Sequence, residues 1–524
     1  MKHRRKNPAL GLIYTSPSQQ VIPGFEHPFD RELDPANRWI VLANLIPWDE
    51  ICGIYLKQVG VSTTGRPGLS PRVAIGALII KYLCNLDDRE TVDQISENLY
   101  MQYFLGYPSF TCERPFDASL FVELRKRLGI EAINTINERI VSLRTGLLEQ
   151  EPPKDSGNND KPSAGLEQET DPSAKTEESE KGNEQVENRG RILFDATACP
   201  QDIAYPTDLT LLSEARKVSE RLIDQLYCSA LHTTKPRTYR KIARKNYLKT
   251  AQKKNKTKKE IRNAVGKQLG YLKRNINSIH KLLDGYHLSF PLKGKDLKYF
   301  YVIQTLFDQQ LEMYKKRTHT IADRIVSIHQ PHVRPIVRGK SQSKVEFGAK
   351  IHVSLIDGIS FLDELSWDAF NEGSHMEEYV EGYRRRFGCY PGEVLADKIY
   401  CTRENRQMLK VKRIKLIAKP LGRPSAVSNH VRPGERNPIE GKFGQAKTGY
   451  GLNRIKARLK QTSESWIAGI FLVLNLVKLA GAALPCLILD MVCGFSANMW
   501  KVWDEIRRIF LSGLFPARIR TSLA

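Results

Sequence analysis

Between Glu149 and Gly190 the chain changes character: Glu, Asp, Ser, Asn, Pro and Gly dominate, and aliphatic residues almost vanish. A segment of that composition buries too little apolar surface to offset the entropy of ordering its backbone, so it reads as a disordered acidic linker. The 524 residues must therefore fold as separate parts on either side of it. The expected division is an N-terminal arm (1–29), a helical domain (30–148), the linker (149–190), a larger domain (191–484) and a C-terminal helical tail (485–524).

Both flanking parts are basic, and the formal net charge is +23. Such an excess favours a polyanionic partner, because binding DNA or RNA releases condensed counterions. An acidic membrane surface is the rival partner. It would call for a basic helix with bulky apolar residues on its other face, and Lys249 to Lys259 has hardly any. The expectation is a nucleic-acid partner and no membrane. Nine cysteines are scattered singly, without a C-x-x-C pair or closely spaced histidines, which points to reduced thiols and no zinc site. Met1 to Pro8 is basic, but no long apolar run follows it, so a cytoplasmic, nucleoid-associated protein is expected. Trp466 to Leu489 is apolar but interrupted by Asn475, Lys478 and Pro485, and reads as a buried helix rather than a span.

The region 30–148 carries a series of helix starts. Ser70-Pro71 places a cap before a proline at the first helical position. Asp87 to Thr91 opens another helix, and Phe116 to Phe121 opens one bearing Arg125, Lys126 and Arg127. Short helices with a cationic last member suit a helix-turn-helix-like DNA-binding domain, with a merely solvated charged face as the alternative.

The larger domain has strand periodicity. Arg191 to Ala198 reads as strand one. In Val345 to Leu355, Phe347, Ala349, Ile351, Val353 and Leu355 alternate with Gly348, Lys350, His352 and Ser354, which predicts a half-buried strand with Lys350 and His352 toward solvent. Asp357-Gly358 supplies a hairpin turn into Ile359 to Leu365. Ser374 is expected to cap a helix through Tyr383. Strands follow after Pro391-Gly392 and over Ile414 to Ala418. Between strands one and two lies an insertion, at about 207–340, with Asp208 expected to cap its first helix. Within it, Lys235 to Arg274 holds sixteen Lys and Arg residues against one acid, Glu260, with Tyr239, Tyr247 and Tyr271 interleaved. So one-sided a charge predicts a sequence-blind contact with DNA phosphates, through Lys241, Arg244, Lys245, Lys253 and Lys254 among others.

Two acids follow strand-like runs, Asp195 after Ile192-Leu193-Phe194 and Asp397 after Val394-Leu395-Ala396. A third, Glu440, lies in a helical stretch where Arg436, Glu440 and Lys447 share one angular sector. Three carboxylates on two strands and a helix can bind two divalent cations about 3.5–4 Å apart, the clamp used in phosphodiester chemistry. Asp202 and Asp208 compete with Asp195, and Glu435 competes with Glu440. The strand position selects Asp195, and Glu440 is selected by a family signature, R-x3-E-x6-K, that it alone of the two glutamates matches.

These residues resemble the DDE transposases of bacterial insertion sequences, in the group with a Y-x2-R-x3-E-x6-K signature. The run Gly65 to Pro71 and the run Leu99 to Gly106 are similar to the helical domain that accompanies that group. Pro433 stands at the signature tyrosine. The resemblance implies an α/β ribonuclease H-like catalytic domain with a basic helical insertion between strands one and two, preceded by an all-α N-terminal domain. It implies Asp195, Asp397 and Glu440 as catalytic metal ligands for two Mg2+ or Mn2+ ions, and Arg436 and Lys447 as phosphate contacts. It also implies cutting of double-stranded DNA at terminal inverted repeats and joining to target DNA, by a homodimer or higher oligomer. A nuclease of the same fold that does not join ends is the enzymatic alternative, and a domesticated DNA-binding protein is the non-catalytic one.

Overall fold

A computed structural model of the chain describes residues 33–59, 68–148, 187–287, 290–337, 345–418 and 434–481, and separates into two compact units. The linker, Pro433 and the C-terminal tail lie outside the described residues. No disulfide joins cysteines among the described residues.

The first unit is built from α1 (Arg38–Leu45), α2 (Trp48–Val59), α3 (Pro71–Leu83), α4 (Asp88–Glu97), α5 (Leu99–Phe104) and part of α6 (Leu120–Leu148). Asp87 and Glu90 form a reciprocal capping box that starts α4. Trp39 and Trp48 pack on Phe104, with centroids 5.4 and 5.2 Å away, and the Trp48 indole N–H donates to the Ala43 carbonyl. In α3 almost every side chain is buried, including Lys81.

Of the cations expected on the surface of α6, Arg125 is enclosed. Arg125 is buried and donates to both Asp88 carboxylate oxygens, at 2.9 and 2.8 Å, and Lys81 reaches the same carboxylate at 2.9 Å. Lys126 and Arg127 both pair with Glu123. The sequence pattern could not separate a buried tie from a solvated cation, and Arg125 is therefore no surface contact. Burial opposes ionisation of Asp88, yet Arg125 and Lys81 hold its carboxyl below the usual range. Removing the carboxylate takes a shared counter-charge from two buried cations, so Asp88→Asn should cost about 3 kcal/mol of stability, read by chemical denaturation. With a depressed folded pKa, this contribution is present above the ordinary aspartate range and is lost as pH falls through the folded value.

The second unit is organised by a six-stranded mixed sheet. After β1 (Arg191–Pro200) come α7 (Asp208–Leu226), α8 (Arg240–Ala251), α9 (Lys258–Asp284) and α10 (Gly294–Lys316). The sheet then continues with β2 (Arg334–Val337), β3 (Val345–Ile356) and β4 (Ile359–Ser366). A 3-10 turn (Glu372–His375) leads to α11 (Met376–Phe387) and β5 (Glu393–Leu395). Another 3-10 turn (Lys398–Tyr400) precedes α12 (Arg403–Val411), β6 (Lys415–Ile417) and α13 (Asn437–Gly449). The strand order is β2-β3-β1-β5-β6, with β4 also on β3. The pairs β1/β3, β2/β3 and β3/β4 are antiparallel, and β1/β5 and β5/β6 are parallel. Asp357 and Gly358 adopt positive φ, 49° and 83°, which is why this pair suits the tight β3/β4 turn. This mixed sheet with its helices fits a ribonuclease H-like core.

The helices between β1 and β2 have their own apolar core, in which Leu212, Leu222, Leu272, Ile279, Ile303 and Leu306 are essentially inaccessible. Thr207, not Asp208, caps α7: its hydroxyl accepts from the Thr210 N–H. Asp208 is instead a tie, accepting from Arg324 at 2.8 Å and Gln310 at 3.0 Å. Likewise Asn371, rather than Ser374, caps the turn before α11, accepting from the Gly373 N–H. A helix over Lys460–Gly481, here α14, is long and apolar enough to cross a membrane by length and composition, yet most of it is buried within protein. Asn475 donates to Asn137 in the first unit, and Trp367 donates to Glu464 in the second. Residues 482–489 of the expected helix lie outside the described residues.

The β3 strand corrects the half-buried expectation. His352 and Ser354 are fully buried, and so are Ile351 and Val353 on the alternate face. Tyr379 of α11 covers the first of these faces, stacking parallel on His352 at 3.5 Å. Polar residues at alternate positions thus mark a buried network, with His352 Nδ1 and Ser354 Oγ both on Asp363.

Candidate active site

Parallel pairing of β1 with β5, Leu193 opposite Leu395, carries Asp195 and Asp397 to neighbouring positions. Asp195 is fixed by its strand and accepts the Ala196 N–H at 2.8 Å. Asp397, two residues beyond β5, caps the turn Lys398–Tyr400 through the Lys398 N–H, 2.7 Å away. Arg436 stands at the start of α13, where Pro438 supports the first turn. Its guanidinium spans both acids: Nη2 is 3.1 Å from Asp195 Oδ2 and Nη1 is 3.4 Å from Asp397 Oδ1. Asp195 and Arg436 are largely enclosed, at 22% and 18% exposed, whereas Asp397 is 54% exposed. The pair therefore has a closed side and an open side.

Burial pushes the Asp195 carboxyl above its ordinary pKa. The Arg436 charge and the Ala196 N–H oppose that rise, while the negative charges of Glu372 and Asp397 add to it.

Glu440 lies one turn beyond Arg436, its N–H directed to the Arg436 carbonyl at 3.4 Å. Its side chain is exposed and has no ion-pair or hydrogen-bond partner among the described residues. Lys447 is half-buried two turns further along α13. The rival Glu435 is committed to Arg191 at 3.3 Å, and the rival Asp202 to Arg454 at 2.9 Å. Asp195, Asp397 and Arg436 are thus brought together directly. Among the described residues, no three Asp, Glu, His or Cys side chains stand close enough, as placed, to hold one metal ion. The two aspartates nevertheless suit a hard divalent cation: they offer only oxygen, and they already share one cationic partner. Glu440 is the unpartnered acid nearest in sequence to that partner.

The second group of expected contacts lies on the inserted helices. Lys241, Arg244 and Lys245 on α8, and Lys254 after it, are exposed and have no protein partner among the described residues. Lys253 differs, being paired with Glu260. The interleaved tyrosines are engaged within the protein: Tyr239 and Tyr271 lie 4.9 and 5.0 Å from the Arg274 guanidinium, and Tyr247 packs on the helical core.

Sequence reasoning missed Glu372 and misread Lys350. Lys350 is not solvent-facing. It is 16% exposed, and its ammonium lies 2.7 Å from both Glu372 Oε1 and the Phe370 carbonyl. No spacing rule singles out Glu372, because it comes from a turn between β4 and α11. The buried Asp363 network was equally silent, since its members come from three elements, β3, β4 and α11.

A family profile described as "Transposase DDE domain" matches residues 394–477, the stretch containing Asp397, Arg436, Glu440 and Lys447. Another, "Transposase domain (DUF772)", matches residues 27–127. A protein of Rhizobium meliloti described as "Uncharacterized protein ORF8 in nfe locus" is 27% identical over 202 residues, covering 38% of this chain and 78% of that protein. No solved structure matches the chain.

Proposed function

The chain belongs to the DDE transposases, and on that premise we propose that it cleaves DNA at the ends of its own mobile element and joins the freed 3′-hydroxyl ends to target DNA. The observation that carries this reading is the Arg436 guanidinium spanning Asp195 and Asp397 at 3.1 and 3.4 Å. Acids from two strands converge at one cation position, on the turn that also bears Glu440. Asp195, Asp397 and Glu440 would hold Mg2+ or Mn2+, which supplies charge neutralisation at the phosphate and activation of the attacking oxygen. Arg436 presents two parallel donors, and the same fork that spans two carboxylates suits a phosphate. As DNA enters the open side at Asp397, Arg436 can exchange carboxylate for phosphate partners, with Lys447 as a second cation. Both contacts are blind to base sequence.

Lys241, Arg244, Lys245 and Lys254 form the wider phosphate-binding surface in this account, because they are exposed cations without a protein partner among the described residues. Replacing all four with glutamine should weaken binding to every duplex alike. It should also make the log–log salt dependence shallower by about 3.6, since each lost phosphate contact contributes roughly 0.9. Fluorescence anisotropy against salt concentration reads this, and an unchanged slope would place the DNA path elsewhere.

The remaining organisation is read the same way: a ribonuclease H-like domain interrupted by a basic helical insertion, an N-terminal domain that helps recognise DNA ends and assemble subunits, and action in the cytoplasm on the nucleoid. Two DNA ends require two active sites or a bridge between them, so a homodimer or higher oligomer on DNA is expected. The test uses labelled linear DNA carrying the element's own terminal repeats, with Mg2+ or Mn2+ and a target plasmid. Joined products support the proposal. Cutting without joining would assign a nuclease, and binding without either step would assign a non-catalytic DNA-binding protein.

A further inference from the structure

Beside the Asp195–Asp397 pair stands another acid that the transposase reading does not use. Glu372 opens the turn Glu372–His375, and that turn is locked to the one headed by Asp397. Gly373 packs so closely that a Cβ there would stand 2.5 Å from the Ile399 carbonyl oxygen. Asn405, buried at the start of α12, donates from one amide nitrogen to the Gly373 carbonyl at 2.6 Å and the Tyr400 carbonyl at 3.0 Å. The two turns are therefore one piece, and each presents a carboxylate. Glu372 is largely enclosed with Lys350.

Tyr400, at the end of the Asp397 turn, supplies an independent observation. The residue is fully buried, yet its hydroxyl has no hydrogen-bond partner among the described residues. Burial and the nearby charges of Glu372 and Asp195 push that hydroxyl well above its ordinary pKa, so it stays a proton donor. Native proteins rarely leave a buried hydroxyl unpartnered, and an orphan beside an acidic cluster marks a place where a water or a hydrated ion belongs. A structural ion pair between Lys350 and Glu372 explains neither the orphan nor the locking of the two turns.

We propose that Glu372 is a further carboxylate of the same centre, a positioning residue that binds the water shell of the cation held by Asp195 and Asp397, with the Tyr400 hydroxyl as its companion. This inference rests on the transposase reading. Lys350 is the resting counter-charge of Glu372.

The test measures Mn2+ binding to the full chain without DNA, from the loss of the free-ion electron paramagnetic resonance signal, together with thermal melting in metal-free buffer. Glu372→Gln should weaken Mn2+ binding by about 10-fold or more, the usual scale for a group that acts through a ligand's partners. Glu372→Asp should recover part of the loss, and Tyr400→Phe should weaken binding several-fold. Glu372→Gln that binds Mn2+ as the wild type does, whatever its melting temperature, overturns the inference and leaves the transposase reading standing. Should Glu372→Gln fail to fold, Tyr400→Phe decides, because it keeps the buried ring and removes only the hydroxyl; wild-type affinity there overturns the inference. A wild type that binds no Mn2+, or an Asp195→Asn variant that binds it undiminished, overturns the metal-centre reading and this inference with it.

Discussion

Asp195→Asn should abolish DNA cleavage and joining, by on the order of 10³-fold or more, while DNA binding and thermal stability stay near wild type. The activity loss follows from removing the enclosed carboxylate of the pair that Arg436 spans. A metal centre contributes several kcal/mol of charge stabilisation to phosphoryl transfer, and about 1.4 kcal/mol corresponds to each factor of ten. The retained stability follows from the sign of the Asp195 shift. Its folded pKa is raised, chiefly by burial. A carboxyl raised in this way favours the fold while protonated and loses that contribution as pH rises through its folded value. A neutral amide of the same shape removes an unfavourable charge, so the melting temperature should hold or rise slightly. Strand-cleavage assays beside calorimetry check both halves. A variant that cuts at an unchanged rate would remove Asp195 from the chemistry.

The second large effect is on stability. Asp363 is nearly inaccessible and accepts from Arg386 at 2.8 Å, and from His352 and Ser354 at 3.1 Å each. Burial alone would raise its pKa, but His352 and Arg386 hold it below the ordinary range. Asp363→Asn would take the buried carboxylate from the enclosed Arg386. Breaking such a pair typically costs about 3–5 kcal/mol, which corresponds to a melting temperature lower by roughly 10 °C in a domain of this size. With a depressed folded pKa, the Asp363 contribution should persist through neutral pH and disappear as pH falls through that lowered value. Activity at low temperature should follow the folded fraction, because the described partners of Asp363 are His352, Ser354 and Arg386 rather than the Arg436 bridge. A melting temperature unchanged at pH 7 would contradict this.

The sequence made the sheet legible where local chemistry decides conformation. The period-two runs became β1, β3 and β4, and Asp357-Gly358 makes the turn between the last two because both residues take positive φ there. It misled where burial is set by distant elements. Alternation in β3 suggested a solvated face, but α11 covers it, and His352 and Ser354 belong to a buried carboxylate network. Charge misled in the same way: Arg125 read as a surface cation, yet it is enclosed with Asp88. Spacing did find Arg436, since the helical repeat that aligned it with Glu440 also put it at the head of α13. The neighbouring Glu435 falls outside that repeat and is spent on Arg191. Glu372 had no local signature. It reaches the centre through the close approach of Gly373 to Ile399, which exists only in three dimensions.

The central claim is that Asp195, Asp397 and Glu440 serve one metal centre, and the direct measurement is metal-directed cleavage of the polypeptide itself. With Fe2+ replacing Mg2+ and a mild reductant present, hydroxyl radicals cut the backbone close to the bound ion, and mapping the fragments locates its neighbours. The account requires cuts beside residues 195, 397 and 440 together, competed away by Mg2+ and absent in Asp195→Asn. Cuts beside 195 and 397 with none near 440, on protein bound to its terminal DNA, would contradict it and remove Glu440 from the centre.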